Sequence, residues 1–267
     1  MPITAAWVYN RHFAKTVRVL LLSDIHSNLE ALEACLAAAP PYDIVVNLGD
    51  IVGYCASPNE VLQRARELGK TFVRGNHDKA ASGLMELKDF NPVAAAAAEW
   101  TRNQLTPENL DWLRNLPHGP VQLDEVPDAQ FVHGSPVDED DYLVSVRDAV
   151  EPIMLAPVSK TFFGHTHLQG SFVADSTYLD AFRPTYKTVG QMETVDVPLK
   201  EDLRYLINPG SVGQPRDGDW RAGFAVFDTD SKIVTFCRAP YNLKSAQDRI
   251  FAANLPARLA TRLAAGR

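Results

Sequence analysis

Residues 17–26, Val17-Arg18-Val19-Leu20-Leu21-Leu22-Ser23-Asp24-Ile25-His26, run from a stretch that is apolar but for Arg18 straight into metal-ligating side chains. The run VRVLLL is short and, past Arg18, continuously apolar, as a strand covered on both faces must be. Working outward, Asn28 is placed to cap a helix with the apolar face Leu29, Leu32, Cys35 and Leu36, stopped by Pro40-Pro41. Residues 43–48 (DIVVNL) read as a second strand. Ser57-Pro58-Asn59-Glu60 has the capping-box pattern with proline at the first helical position, and its helix should run to about Gly69, a residue suited to a left-handed end. Residues 71–74 form a third strand. This alternation predicts parallel pairing through right-handed crossovers.

Farther along, residues 79–116 read as helical, with Asn91-Pro92 opening an alanine-rich helix and Thr106-Pro107 opening one that carries Leu110 and Leu113. Residues 129–132 and 160–163 are short strands. After residue 168 the texture changes: 171–173, 205–207, 224–227 and 233–236 read as strands, with Asp228-Thr229-Asp230-Ser231 as a hairpin turn. Residues 244–265 form a last helix interrupted at Pro256. No repeat, low-complexity tract or linker divides the chain. The expectation is one α/β domain over residues 17–267, parallel in its first half and mostly antiparallel in its second, with residues 1–16 as an extension outside the core.

At 267 residues and 46% hydrophobic, the chain can bury a core without staples. A net charge of −7 gives no basic footprint for nucleic acid or an anionic membrane. Cys35, Cys55 and Cys237 are far apart and odd in number, so neither a disulfide framework nor a thiolate metal site is expected. The apolar run at 17–22 is too short to span a bilayer, and the first 16 residues, with Arg11, His12 and Lys15, lack a signal-peptide pattern. The expected location is cytoplasmic, with no membrane and no nucleic acid as partner; the oligomeric state is not legible.

Five patches each follow a short apolar run: Asp24-Ile25-His26, Gly49-Asp50, Gly75-Asn76-His77-Asp78, His133-Gly134 and Gly164-His165-Thr166-His167. Only His12 and His118 of the seven histidines fall outside them. Singly, each patch has an ordinary structural reading: Asp-x-His as a capping pair, Gly-Asp as a turn, Gly-Asn-His-Asp as a turn braced by asparagine. As an ordered set at successive strand ends they converge on one place, because ligands in open α/β sheets bind beyond the carboxyl ends of strands. Asp24 and His26, two residues apart in extended backbone, should point the same way. Carboxylates with imidazoles suit manganese, iron, zinc or nickel, and suit calcium poorly. Two such ions about 3.5–4 Å apart would polarise a phosphoryl oxygen and activate a shared water.

With these residues in place, the ordered set resembles the calcineurin-like metallophosphoesterase superfamily, over residues 18 to about 240. Gly49-Asp50-Ile51-Val52-Gly53-Tyr54, Asn208-Pro209-Gly210-Ser211-Val212-Gly213-Gln214-Pro215-Arg216 and the tail Leu255-Pro256-Ala257-Arg258-Leu259-Ala260 are similar to its small prokaryotic branch. The resemblance implies a four-layer α/β/β/α sandwich of two mixed β-sheets flanked by helices. It implies two divalent metals, manganese foremost: Asp24, His26 and His167 on the first, Asn76, His133 and His165 on the second, and Asp50 bridging. It also implies in-line attack by a hydroxide shared between the metals, with His77 as general acid or transition-state contact near the leaving oxygen and Asp78 to orient it.

The protein-phosphatase branch carries Gly-Asp-x-Val-Asp-Arg-Gly where this chain has Gly-Asp-Ile-Val-Gly-Tyr-Cys, so Gly53 and Tyr54 stand in place of the aspartate that pairs with the catalytic histidine and of a phosphate-binding arginine. Cys55 stands where glycine is more familiar in the small branch, a packing change. Arg74 and Arg216 are candidate phosphate contacts, each equally readable as a salt-bridging arginine. Tyr54 could line the pocket or be an ordinary half-buried tyrosine. The leading function is hydrolysis of a small phosphodiester, phosphomonoester or dinucleoside polyphosphate. A nuclease and a non-catalytic scaffold on the same fold are the alternatives; the acidic balance opposes the first and the retained ligand positions oppose the second.

Overall fold

The alternation along β1 (Arg18–Leu22) explains its continuous apolar run. Leu20 and Leu22 pack toward helices, whereas Val19 and Leu21 pack toward a second sheet. From Val19 to Leu22 both faces are buried and every residue is apolar; Arg18, at the half-buried start of the strand, reaches out to Asp43. The computed structural model describes residues 16–69 and 71–267. The expected extension over 1–16 therefore lies, except for Thr16, outside the described residues.

After β1 come α1 (Leu29–Ala38), β2 (Ile44–Asn47), α2 (Pro58–Leu68), β3 (Thr71–Phe72) and α3 (Asn76–Ser82). A 3₁₀ turn at Leu87–Asp89 leads to α4 (Pro92–Gln104), α5 (Pro107–Arg114), β4 (Val121–Leu123), β5 (Val126–Phe131), α6 (Val146–Leu155) and β6 (Lys160–Phe162). The remainder is β7 (Gly170–Ala174), β8 (Leu179–Phe182), β9 (Glu193–Pro198), β10 (Arg204–Asn208), β11 (Ala222–Asp228), β12 (Ile233–Ala239), α7 (Leu243–Ala252) and α8 (Ala257–Leu263). One six-stranded sheet has the order β3-β2-β1-β11-β12-β9 and the other the order β4-β5-β6-β10-β7-β8. The β1–β2–β3 and β5–β6–β10 pairings are parallel, and β11 lies antiparallel to β1, so both sheets are mixed.

Three apolar cores separate four layers. One lies between the first sheet and α1, α2, α7 and α8; one lies between the sheets; one lies under α6. Between the sheets, Phe162 stacks on Phe131 at 5.5 Å and meets Phe227 of the facing sheet at 5.4 Å. The expected sandwich of two mixed sheets with flanking helices is the fold observed.

Several local readings change. Asn28 does cap α1, its side chain accepting the Ala31 N–H at 3.1 Å. The capping box at Ser57 is not formed: Pro58 fixes the first turn, the Ser57 hydroxyl has no partner, and its main-chain N–H is spent on Ser27. Gly69 is extended rather than left-handed. The third strand shrinks to two residues. Helix α6 was not legible, because Pro152 lies inside it and Val150, Met154 and Leu155 sit on its exposed side, blurring its apolar stripe. Its start does carry a signal: Ser145 and Asp148 bond to each other's main chain as a capping box. The unread strands β4, β8 and β9 are half-exposed sheet edges, the first two only three and four residues long and the third broken up by Glu193, Thr194 and Asp196.

The inter-sheet core should dominate stability. Phe162→Ala is expected to cost about 3–5 kcal/mol, read as a lower urea midpoint at unchanged slope. A loss under about 1 kcal/mol would show that the sheets are held elsewhere.

Candidate metal centre

The five patches meet at one edge of the sandwich. β1, β2 and β3 of the first sheet deliver Asp24 and His26, Asp50, and Asn76 with His77; β5 and β6 of the second deliver His133, and His165 with His167. The backbone there is not extended, as the sequence reading expected. Asp24, His26, Asp50, His165 and His167 all have φ between 50° and 64°, in the left-handed region. The chain turns as soon as each strand ends, which folds the polar side chains back over the sheet. Such conformations cost side-chain-bearing residues of order 1 kcal/mol each and persist only where surroundings over-determine them.

Here the loops are tied together. Asp24 N–H donates to Gly49 at 3.0 Å and His26 N–H to Asp50 at 2.9 Å. The segment after β10 braces them, with the Ser211 hydroxyl and the Gly213 N–H both donating to the Asp24 carbonyl, at 2.8 and 2.9 Å. Gly75 is required by contact: a Cβ there would sit 2.1 Å from Asp50 Oδ1 and 2.4 Å from its main-chain nitrogen.

Two donor groups result. Asp24, His26, Asp50 and His167 offer ligand atoms all within 4.8 Å of one another, and so do Asp50, His133 and His165. Asp50 belongs to both. Each imidazole is oriented by a carbonyl, which can only accept: His26 Nδ1 on Val52 at 3.1 Å, His133 Nδ1 on Leu48 at 2.7 Å, His167 Nδ1 on Gln214 at 2.5 Å, and His165 Nε2 on Asp140 at 3.1 Å. In a neutral ring this contact places the proton, and the other nitrogen turns a lone pair inward; His26, His165 and His167 meet that condition, and His133 meets it once deprotonated. His26 Nε2 and His167 Nε2 face each other at 3.1 Å; His133 Nε2 and His165 Nδ1 do so at 3.0 Å. Asp24 Oδ1 and Asn76 Oδ1 are buried without a hydrogen-bond donor. Inward-facing lone pairs and orphaned oxygens fit divalent cations, and the mixture of nitrogen and hard oxygen suits first-row transition metals.

The electrostatics agree. Burial lifts Asp24 to about 7, with His133 opposing and Asp50 adding to the rise. Burial would lift Asp50 as well, but the His133 and His77 charges outweigh it and hold Asp50 well below the usual carboxylate range. Burial drives His26, His165 and His167 well below their ordinary value, keeping these rings neutral as ligands must be. His133 is the exception: burial lowers it, yet Asp50 draws it up to about 9. A cation entering the second group must therefore displace a proton there.

His77 lies beside both groups. Its main-chain N–H donates to Asp50 Oδ1 at 2.8 Å, and its ring contacts those of His26, Tyr54 and Phe90 at 4.9, 4.3 and 5.1 Å. Burial, opposed by Asp50 and helped by Arg216, lowers it to about 4. Asp78 does not orient the ring, contrary to expectation. Its oxygens accept the N–H groups of Val52 and Gly75, and His77 Nδ1 has no partner. Asp78 thus fixes the start of α3 and the loop after β2. Gly53, at φ 101°, lies against the ring: a Cβ there would stand 2.7 Å from His77 Nδ1. Burial pushes the Cys55 thiol to about 12, as suits a packing residue.

Arg74 is also redirected. Its Nε and Nη2 donate to Glu139 at 3.0 and 2.8 Å, so it braces the segment after His133 rather than reaching for phosphate. Arg216 stays at the site, with Nη2 3.3 Å from the Tyr54 hydroxyl and no Asp or Glu side chain paired with it among the described residues. Tyr142, which the sequence did not single out, packs its ring 3.8 Å from that of His165. Gln214 was missed too, since its part is played by a main-chain carbonyl, which has no sequence signature.

The chain matches the calcineurin-like phosphoesterase superfamily domain over residues 17–232. It is 35% identical over 251 residues to the uncharacterized protein MJ0912 of Methanocaldococcus jannaschii, covering 93% of this chain and 98% of that one. The crystal structure of a metallophosphoesterase from Sphaerobacter thermophilus superposes with a TM-score of 0.80 at 39% identity, over 94% of this chain and 100% of that one. Hypothetical protein PH1004 from Pyrococcus horikoshii OT3 shares the fold, with a TM-score of 0.74 at 20% identity over 94% and 99% of the two chains. The domain match covers the strands and the ends that carry the donor groups, and on that ground the chain belongs to the calcineurin-like phosphoesterase superfamily.

Proposed function

We propose that this chain is a phosphoesterase using two divalent metals, manganese foremost, to hydrolyse small phosphoesters. Its substrates would be phosphodiesters, phosphomonoesters or dinucleoside polyphosphates, with diesters cleaved at least as well as monoesters. The observation that carries this reading is the single carboxylate, Asp50, common to two buried donor groups. Asp24, His26 and His167 would hold one ion with Asp50; Asn76, His133 and His165 would hold the other. Ions so held would neutralise phosphoryl oxygens and make water nucleophilic near neutral pH.

The remaining work falls to the chain. The carbonyls of Val52, Leu48, Gln214 and Asp140 fix each imidazole before substrate arrives. His77, held near 4, is neutral at pH 7 and acts as an N–H donor to the leaving oxygen, a contact that strengthens as charge develops. Arg216 grips a non-bridging oxygen or a second anionic group, with Tyr54 setting its position. Gly53 and Tyr54 leave no acid–arginine pair of the protein-phosphatase kind, which favours small substrates over phosphoproteins.

The purified chain should bind two manganese ions, and Asp50→Asn should lose both, with activity falling on the order of 10²-fold or more; elemental analysis finding at most one ion in the wild type at saturation sinks the two-metal reading. His77→Ala should keep its metals yet lose about 10²–10³-fold in kcat on an ester with a poor leaving group. On a nitrophenyl ester, where the leaving oxygen needs little help, the loss should be smaller. An unchanged rate on the poor leaving group refutes the role. Finally, kcat/KM should be higher for an aryl diester than for a phosphopeptide. A tenfold preference for the phosphopeptide, about 1.4 kcal/mol in the transition state, would overturn the small-substrate reading.

A further inference from the structure

An aromatic-walled cavity of ≈ 250 Å³ opens beside His77. Its walls include Tyr54, Met85, Phe90, Ala94 and Tyr142, and the metal-centre residues Asn76, His77 and His165 line it too. These walls come from separate stretches of chain. Met85 and Phe90 belong to the segment joining α3 to α4, Ala94 to the first turn of α4, and Tyr142 to the segment before α6. None belongs to the five ligand patches. The volume is below the range of about 300–1,000 Å³ typical of sites for drug-sized molecules, and suits a single ring.

The position of the cavity decides which part of a substrate it receives. His77 touches the His26 ring at 4.9 Å on the metal side and the Phe90 ring edge-on, at 5.1 Å and 89°, on the cavity side. A group leaving from a phosphorus atom at the donor cluster, with its oxygen at His77, therefore continues into the space bounded by Phe90 and Met85. Aromatic walls favour a flat ring over an aliphatic group of similar bulk, because ring pairs gain beyond the area they bury, and a methionine sulfur adds contacts at a ring edge.

We infer that this cavity is a leaving-group subsite that selects phosphoesters whose departing alcohol carries a flat aromatic ring, either an aryl group or a nucleobase. The inference rests on the phosphoesterase reading and adds to it the side of the scissile bond on which the ring lies. The step itself is ordinary hydrolysis: water adds to phosphorus, the P–O bond to the ring-bearing alcohol breaks, and the alcohol and the remaining phosphate ester depart.

A single substrate tests both levels. Phenyl hexafluoroisopropyl phosphate carries one flat and one globular leaving group whose alcohols are of similar acidity, so the ratio of the two alcohols released reports the subsite. Manganese-loaded wild type should release phenol over hexafluoroisopropanol by about tenfold relative to the alkaline reaction in solution. Phe90→Leu, which keeps apolar bulk without the flat face, should bring the ratio close to the solution value. Met85→Trp, which fills the cavity, should favour hexafluoroisopropanol; both variants should retain wild-type manganese content. A wild-type ratio equal to that in solution, or preferential release of hexafluoroisopropanol with phenyl phosphate retained, overturns the subsite while leaving the phosphoesterase reading intact. Release of neither alcohol overturns both. Competitive inhibition by phenyl phosphate and by thymidine monophosphate separates the aryl from the nucleobase source. Equal inhibition by cyclohexyl phosphate overturns selection for a flat ring.

Discussion

The Asp50 carboxylate is the constraint around which the structure is arranged. One oxygen accepts the His77 main-chain N–H at 2.8 Å, and the other lies 3.6 Å from His26 Nε2 and 3.5 Å from His133 Nε2. It is 1% exposed. A buried carboxylate without compensation costs several kcal/mol, so every neighbour has to supply positive charge or a donor, or else stand clear. Gly75 stands clear by lacking a side chain. The left-handed turns at five ligand positions bring the compensating groups within reach, and the hydrogen bonds between the loops and the apolar core between the sheets resist the strain. Asp24 reaches the same cluster from β1 and is pushed the opposite way in acidity. Two carboxylates this close cannot both stay charged unless positive charge lies between or beside them.

Much of the architecture was legible because burial on both faces leaves a plain signature. β1 and β2 read as continuous apolar runs for the same reason that they lie mid-sheet. Elements with one exposed side were harder: α6 shows its interior proline and exposed Val150 and Met154, and the edge strand β9 is barely apolar. The chemistry was legible as residue types in order, since few structural roles call for histidine, aspartate and asparagine at successive strand ends. Pairings were not. Arg74 meets Glu139, 65 positions away, and Asp78 meets the main chain of Val52. No local pattern reveals a partner that only the tertiary fold brings close. The left-handed turns were missed because an Asp-x-His segment after a strand is equally compatible with continued extension.

The Gly53–His77 contact shows how a local difference in sequence changes the means of holding a group. Where a carboxylate would fix an imidazole by charge, this chain fixes it by shape, between Tyr54, Phe90 and the bare main chain of Gly53. A ring held by packing keeps Nδ1 free of an acid and stays neutral at pH 7, which changes what it can offer a reaction. The same rings extend outward as the walls of a cavity, so the packing that positions the imidazole also shapes the space beside it.

The donor groups also straddle the sandwich. Asp24, His26 and Asp50 come from one sheet and His167 from the other; in the second group Asp50 faces His133 and His165 across the same divide. A cation bound there would be a rivet through both layers, adding to the hydrogen bonds between the loops and the apolar core that already join the two sheets. A ligand at about 100 times its dissociation constant adds roughly 2.7 kcal/mol to folding. For a protein holding such ions, metal scarcity in the cell would bear on persistence as well as on turnover: losing that increment would raise the fraction of opened chains exposed to proteases, and abundance would follow metal supply.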